Sequence, residues 1–241
     1  MSKNYQITQF EIPIASEGNL ALDDKRINIR RIQIEEDPAR ITHAGTITEA
    51  KYVLVDYNRS GTPLVEIVTE PDFASPEEAH RFLNLLSSML EYLGVYDSSV
   101  EGSMRIDANV SVPGGNRVEV KNVSGGKDVE RALNFEIIRQ KDLVRRGQKV
   151  VRETRGWDET AGVTRSLRVK EEEEDYGYIF DTDLPTINLS KEKIAEIKAA
   201  LPEFAAQKVG RYVKQFKIAK EQAEGITSQP DLALAYEDVA K

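Results

Sequence analysis

Two stretches of the chain alternate apolar and polar residues with the period of a β-strand. In SMRIDANVSV (103–112), Met104, Ile106, Ala108, Val110 and Val112 share one parity, and Arg105, Asp107, Asn109 and Ser111 share the other. RVEVKN (117–122) repeats the pattern, with Val118 and Val120 opposed by Arg117, Glu119 and Lys121. The Pro-Gly-Gly-Asn stretch between them predicts a hairpin, and only a loop of odd length sets polar residues against polar ones. A five-residue loop places Asp107 opposite Lys121 and Asn109 opposite Glu119; a three-residue loop places Asn109 opposite Lys121. Either register gives an antiparallel sheet with one apolar and one polar face.

The rest of the chain is read around that hairpin. YQITQFEIP, NLAL and RINIRRIQIEE predict short N-terminal strands, and a switch of parity between Ile27/Ile29 and Ile32/Ile34 predicts a bulge at Arg30-Arg31. YVLVDYN (52–58) and PLVEIVTE (63–70) follow, separated by Ser60-Gly61-Thr62. Pro76 to Leu93 predicts a helix capped by Ser75 and stopped by Gly94, with Phe82, Leu83, Leu86, Met89, Leu90 and Leu93 as its buried stripe and His80 in a surface or packing role. A second helix runs from about Val129 to Arg146, its apolar residues spread widely enough to pack on more than one side. KVVRETR (149–155) and VTRSLRVK (163–170) predict a further hairpin. After TDLPTINLS the strands give way to short helices. The expected architecture is therefore α+β over residues 1–189, an antiparallel sheet with packed helices, followed from 190 to 241 by the beginning of an all-helical domain.

Composition restricts the chemistry. With 41 acidic against 33 basic residues and a net charge of −8, the chain cannot hold nucleic acid by bulk charge, so any RNA contact is local. Charge is segregated: residues 139–170 hold ten Lys or Arg against four Asp or Glu, and EEEED (171–175) follows at once. The absence of cysteine excludes disulfides, thiolate metal sites and thiol nucleophiles. The two histidines, His43 and His80, belong to no evident triad or metal cluster, so a bound metal would take oxygen ligands, which favour magnesium or calcium. No apolar run is long enough for a bilayer, and a cytoplasmic location is expected. Neither a P-loop nor a GxGxxG motif is present.

Three constellations can carry chemistry of that kind. Glu35-Glu36-Asp37 places three adjacent carboxylates at a strand end, where their repulsion needs water or a cation. Glu66, with Glu70 four residues on, sits among Leu64, Val65, Ile67 and Val68, so it needs a polar face, a cation or a metal. The third is the hairpin's polar face, where acids could hold magnesium while Arg105 and Lys121 neutralise phosphate.

Taken in order, IQIEEDPARITH, VDYNRSGTPLVEIVTEPDFASPEEA, EGSMRIDANVSV, VEVKNVSGGKDVERAL, ETRGWDETAGVTRSLRVKE and DYGYIFDTDLP resemble the catalytic domain of the B subunit of the tRNA-dependent amidotransferases. The resemblance runs from the Tyr5-Gln6 region to about Leu189, and the tail resembles the start of the family's helical domain. It implies a glutamine synthetase-like fold and an ATP- and magnesium-dependent ligase. Such an enzyme phosphorylates the side-chain carboxylate of misacylated Glu-tRNA(Gln) or Asp-tRNA(Asn), then amidates it with ammonia from a separate glutaminase, the A subunit, while a small C subunit straps the complex together. Carried over, Glu35, Glu36 and Glu66 are the implied magnesium ligands. Glu36, Glu66, Arg105 and Lys121 are the implied catalytic groups, and Asp56, Asn58, Arg59, Glu70, Glu101, Asp107 and Asn109 fall in matched nucleotide-site motifs.

The sequence departs from the family pattern in places. The family's upstream Glu-Val-His-Val-Glu type strand, which contributes to the same metal site, is not among these residues, and the last helix stops at Lys241 without a cap, as if the domain continued. Gly177 and Ile179-Phe180 replace a basic residue and Phe-Pro, and the two glycines of VSGGKDV look archaeal. The related E subunit has an insertion before its DLP segment, whereas RSLRVKEEEEDYGYIFDTDLP runs straight through, which favours B. A non-catalytic binding or scaffold module is the alternative from a different class.

Overall fold

The computed structural model describes residues 5–240 except 23, 44–51, 101, 170–177 and 180, and for residues 40–43, 168 and 169 the backbone alone. Its strands are β1 (Gln6–Ile7), β2 (Ala15–Leu22), β3 (Lys25–Glu36), β4 (Arg40–His43), β5 (Val53–Asp56), β6 (Pro63–Thr69), β7 (Ile106–Val110), β8 (Val118–Val123), β9 (Glu153–Asp158), β10 (Val163–Val169) and β11 (Tyr178–Ile179). Its helices are α1 (Pro76–Tyr92), α2 (Gly126–Arg145), α3 (Lys191–Ala199), α4 (Ala205–Phe216), α5 (Lys220–Thr227) and α6 (Pro230–Val239). The fold is the expected α+β arrangement. No helix among the described residues is long and apolar enough to cross a membrane.

The alternating hairpin forms as β7 and β8, in the register of the five-residue loop: Asn109 lies opposite Glu119 and Val110 opposite Val118. The ladder slips by one residue between Ile106, which pairs with Val123, and Ala108, which pairs with Val120, and Asn122 absorbs the slip at φ 62. Val118, Val120 and Val123 are buried under α2 against Val129, Ala132 and Leu133. Val150 and Trp157 close the same core. β9 joins β8 in parallel, with α2 as the crossover, and β10 returns antiparallel, giving the order β10-β9-β8-β7.

A smaller antiparallel sheet has the order β2-β3-β6. The predicted bulge is present: pairing steps from Ile29 with Thr69 to Arg31 with Val68, leaving Arg30 as the extra residue. That extra residue determines where the arginines go. Arg30 turns out to a two-pronged pair with Glu70, both contacts at 2.8 Å, while Arg31 stacks its guanidinium 4.4 Å over the Phe10 ring. Beyond the end of β2 the edge of β3 is continued by an antiparallel bridge between Thr8 and Glu35, and β1 in turn pairs in parallel with β11.

Helix α1 serves both sheets. Ser75 caps it through the Glu78 amide, and Ala79 enters the core of the larger sheet. Phe82 packs with Leu22 and Ile27 of the smaller one. Phe73 meets Phe82 edge to face at 5.2 Å and touches both cores. Leu93, expected in the buried stripe, is 40 % exposed, because the helix ends there and Gly94 turns the chain away at φ 68. The crossing of α1 with α2 is tight: a β-carbon on Gly126 would come within 2.5 Å of the His80 ring, whose Nδ1 lies 2.6 Å from Glu130. Among the described residues from Ser190 onward only helices form, and Tyr92 ties α1 to them by donating to the Thr227 carbonyl at 2.9 Å.

Candidate active site

Strand parity decides which acids meet. Gln33 lies opposite Glu66 across β3 and β6, and Glu35, two residues on, shares their face. The Gln33 carboxamide nitrogen donates to Glu66 at 2.7 Å, to Glu35 at 2.8 Å and to the Thr8 hydroxyl at 3.1 Å. Two protons thus serve three acceptors. Thr8 (2.9 Å) and Gln6 (3.2 Å) donate further to Glu35, so Glu35 has three donors while Glu66 has the Gln33 amide. Burial pushes the Glu66 carboxyl up to about 7, repulsion from Glu35 adds to this, and Arg31 pulls the other way.

The polar face of the larger sheet contributes the second half. Lys121 Nζ stands 3.3 Å from Asp107 and 3.7 Å from Glu119, and Thr154 donates to Glu119 at 3.0 Å. Asp107 has its carboxyl raised by desolvation, partly countered by Lys121, and is near enough to help raise Glu66. Tyr178 on β11 is the member that senses both faces. Its phenol is pushed up to about 12, first by burial and then by Glu35, Glu66, Asp107 and Glu119.

Asp37, just past β3, is fully buried and holds two arginines on one oxygen: Arg59 Nε at 3.1 Å and Arg105 Nη2 at 2.5 Å. Its other carboxylate oxygen is buried without a partner. Its backbone is fixed as well, by an amide bond to the Thr62 carbonyl and a carbonyl accepting from Gly61, both 2.9 Å. Asp37 thereby joins the end of the smaller sheet, the loop after β5 and the approach to β7.

Of the residues singled out in the sequence, the structure brings together Glu35, Glu66, Asp107 and Lys121, with Arg105 and Arg59 held beside them by Asp37. Glu36 alternates with Glu35 and lies on the opposite parity of β3, opposite Pro63; its carbonyl accepts from Gln6 at 2.9 Å. Glu70 is taken up by Arg30, which holds its carboxyl below the usual range. Asp56 and Asn58 form an exposed turn, the Asn58 amide donating to Asp56 at 2.9 Å, and Asn109 is exposed on β7. Glu101, the 171–175 acid run and Gly177 lie outside the described residues. Sequence reasoning misses Gln6, Thr8, Arg31, Gln33 and Tyr178 as members of the site, and it singles out Asp37 only as one of three adjacent carboxylates, not as the anchor of Arg59 and Arg105. Arg31 stands out in the sequence only as a bulge marker; the polar Gln33 within the run IQIEE is the one available signal.

The donor set suits a hard cation. Glu35 and Glu66 are neighbouring carboxylates, and the carboxamide oxygen of Gln33 is buried beside them without a hydrogen-bond partner. Among the described residues no group of three or more His, Cys, Asp or Glu side chains gathers to enclose a metal, so this pair fits part of a coordination shell. A separate depression of about 540 Å3 on α4, lined by Gln207, Gly210, Arg211, Lys214 and Gln215, contains none of these residues.

Fold and geometry together define an α+β protein in which a pair of carboxylates, Glu35 and Glu66, shares one sheet face and Asp37 fixes two arginines. Residues 1–195 match the family model of the GatB/GatE catalytic domain, and the chain belongs to that family. It is 51 % identical over 244 residues to the B subunit of an aspartyl/glutamyl-tRNA(Asn/Gln) amidotransferase from Saccharolobus solfataricus, covering 99 % of this chain and 52 % of that protein. Similar relatives of the same name occur in Methanosarcina barkeri (49 % identity, 99 % and 49 % covered) and Sulfolobus acidocaldarius (49 % identity, 100 % and 52 % covered). The chain therefore spans about half the length of the curated relatives it matches.

Proposed function

We propose that this chain supplies the carboxylate-activating part of the B subunit of a tRNA-dependent amidotransferase, which acts on Glu-tRNA(Gln) or Asp-tRNA(Asn). In the first step a side-chain carboxylate oxygen of the aminoacyl group attacks the γ-phosphorus of ATP and ADP leaves. In the second, ammonia attacks the acyl phosphate carbon, phosphate leaves and a proton is lost, giving the amide. Ammonia would come from a separate glutaminase, the A subunit, joined through the small C subunit in the cytoplasm, and residues 190–241 would begin a helical tRNA-binding domain. The observation that carries this reading is the identity of about half the residues along nearly the whole chain to proteins named as B subunits.

Glu35 and Glu66, with the Gln33 oxygen, would hold magnesium, which when bound withdraws charge from the ATP phosphates. Arg31 keeps positive potential on the Glu66 face, and Asp37 presents Arg59 and Arg105 as a rigid pair to which phosphate oxygens can bind. Lys121, held between Asp107 and Glu119, is positioned over the polar face rather than free to swing. No step needs a covalent enzyme nucleophile, which agrees with a chain without cysteine.

The test is ATP-dependent conversion of Glu-tRNA to Gln-tRNA by the chain assembled with its partner subunits. Glu66→Gln and Glu35→Gln should each lower the rate on the order of 100-fold or more while the protein stays folded. Rates within twofold of the parent would remove the site assignment. A parent complex with no ATP-dependent amidation would remove the function.

A further inference from the structure

Part of the positive charge that the sequence places in residues 139–170 gathers at one junction. The loop between β7 and β8 lies against the C-terminal end of α2 and the segment after it: a β-carbon on Gly114 would touch Val144 at 3.4 Å, and Asn116 donates to the Val150 carbonyl at 2.9 Å. Around this junction Arg117, Lys141, Arg145, Arg146, Lys149 and Arg152 are all exposed, in a chain whose net charge is −8. Arg145 and Arg146 share a single carboxylate, Asp142, so the pair keeps a net positive charge. Complementing the helix dipole accounts for those two, which sit at the end of α2. It does not account for Arg117 and Arg152.

These two stand one residue before the parallel pairing of Val118 with Glu153, so the register sets them side by side. Like charges so placed repel. Among the described residues neither meets a carboxylate or any other polar partner. They also share the strand parity of Glu119 and Thr154, whose face carries Lys121 and Asp107. Arg117 precedes Lys121 by four residues of extended chain, roughly 13 Å. A polyanion lying across the basic junction thus meets the same sheet face that holds the site.

We propose that Arg117, Arg152 and the neighbouring Lys141, Arg145, Arg146 and Lys149 bind the phosphate backbone of RNA and direct its acceptor end toward Lys121 and Glu66. This rests on the amidotransferase reading for the identity of the RNA, and the patch is tested without turnover.

Unacylated tRNA is titrated onto the full chain at several KCl concentrations. Arg117→Gln/Arg152→Gln should bind about tenfold more weakly and lower the slope of log K against log salt by about 2, one for each phosphate contact removed. Arg26→Gln, which removes an exposed arginine of β3 that has no polar partner among the described residues, should leave both unchanged. Parent-like affinity and slope in the double variant would overturn the proposal, as would a loss confined to binding of phosphatidylserine vesicles. A double variant with weakened tRNA binding, in a protein that proves unable to amidate, would leave the patch standing and remove only the reaction.

Discussion

Each sheet has a glutamate set against it, Glu136 fully buried and Glu66 half-buried, and the two are treated oppositely. Glu136 on α2, beneath β9 and β10, is fully buried, yet Arg139 donates to it twice, Gln140 at 3.0 Å and Thr164 at 2.8 Å. Arg155 stands 3.5 Å away. Burial alone would raise its carboxyl, but these donors outweigh it and hold the group below the ordinary value. Glu66 is offered the Gln33 amide, which it shares with Glu35 and Thr8, and its carboxyl rises to about 7. A saturated carboxylate holds structure together, whereas one short of donors has room for a ligand. The comparison is what separates scaffold from site in a chain with 41 acidic residues.

The largest effect expected from this contrast is at the saturated end. Glu136→Gln keeps the shape but leaves Arg139 and Arg155 facing an amide, at a cost of about 3–5 kcal/mol. Chemical denaturation at neutral pH measures it, and a loss below about 1 kcal/mol would mean that the arginines find other partners, with Glu153 the nearest alternative for both. Asp37 lies between the two extremes, with one oxygen gripped by two arginines and the other bare. Asp37→Asn should cost about 2 kcal/mol, less than Glu136→Gln because Arg105 is 56 % exposed and can turn to water. It should also raise KM for ATP more than it lowers kcat, if Arg59 and Arg105 act as a placed pair. An unchanged KM with lower stability would make Asp37 a purely structural tie.

How much of this contrast is legible in the sequence follows from the range of the interactions. The hairpin of β7 and β8 is legible because period-two alternation and a glycine-rich loop are local, and the polar-to-polar requirement narrows the register to two choices. The bulge at Arg30 is legible from a parity switch, but its consequence is not: that Arg31 turns to Phe10 and the Glu66 face depends on where residue 10 lies in space. Likewise Glu35 and Glu36 are indistinguishable as letters, and only pairing with β6 puts Glu35 with Gln33 and Glu66 and sends Glu36 to the other parity. The partnership of Asp37 with Arg105, 68 positions on, and the approach of Tyr178 to four carboxylates are long-range in the same sense. The parallel junction of β8 and β9 is also hidden, since nothing local distinguishes it from another hairpin.

The smallest effect discriminates best, because the same substitution should change sign between the two regions. The folded-state pKa of Glu66, about 7, lies above its unfolded value near 4.5. Below pH 4.5 the carboxyl is protonated in both states and contributes no pH dependence. Between 4.5 and 7 the unfolded chain releases its proton first, so the native state binds more protons and stability falls as pH rises, with the full penalty in place above 7. Glu66→Gln cannot ionise and should therefore stabilise the protein by about 1–2 kcal/mol at pH 8, after allowance for solvent screening, and by almost nothing at pH 4.5. Glu136→Gln destabilises at pH 8 instead. Denaturation midpoints of both variants at the two pH values test the pair together. If Glu66→Gln also destabilises at pH 8, Glu66 is held by donors as Glu136 is, and the distinction between a structural and a ligand-ready carboxylate does not apply to it. If magnesium added at pH 8 stabilises the parent but not Glu66→Gln, the group has been satisfied by the cation its surroundings lack.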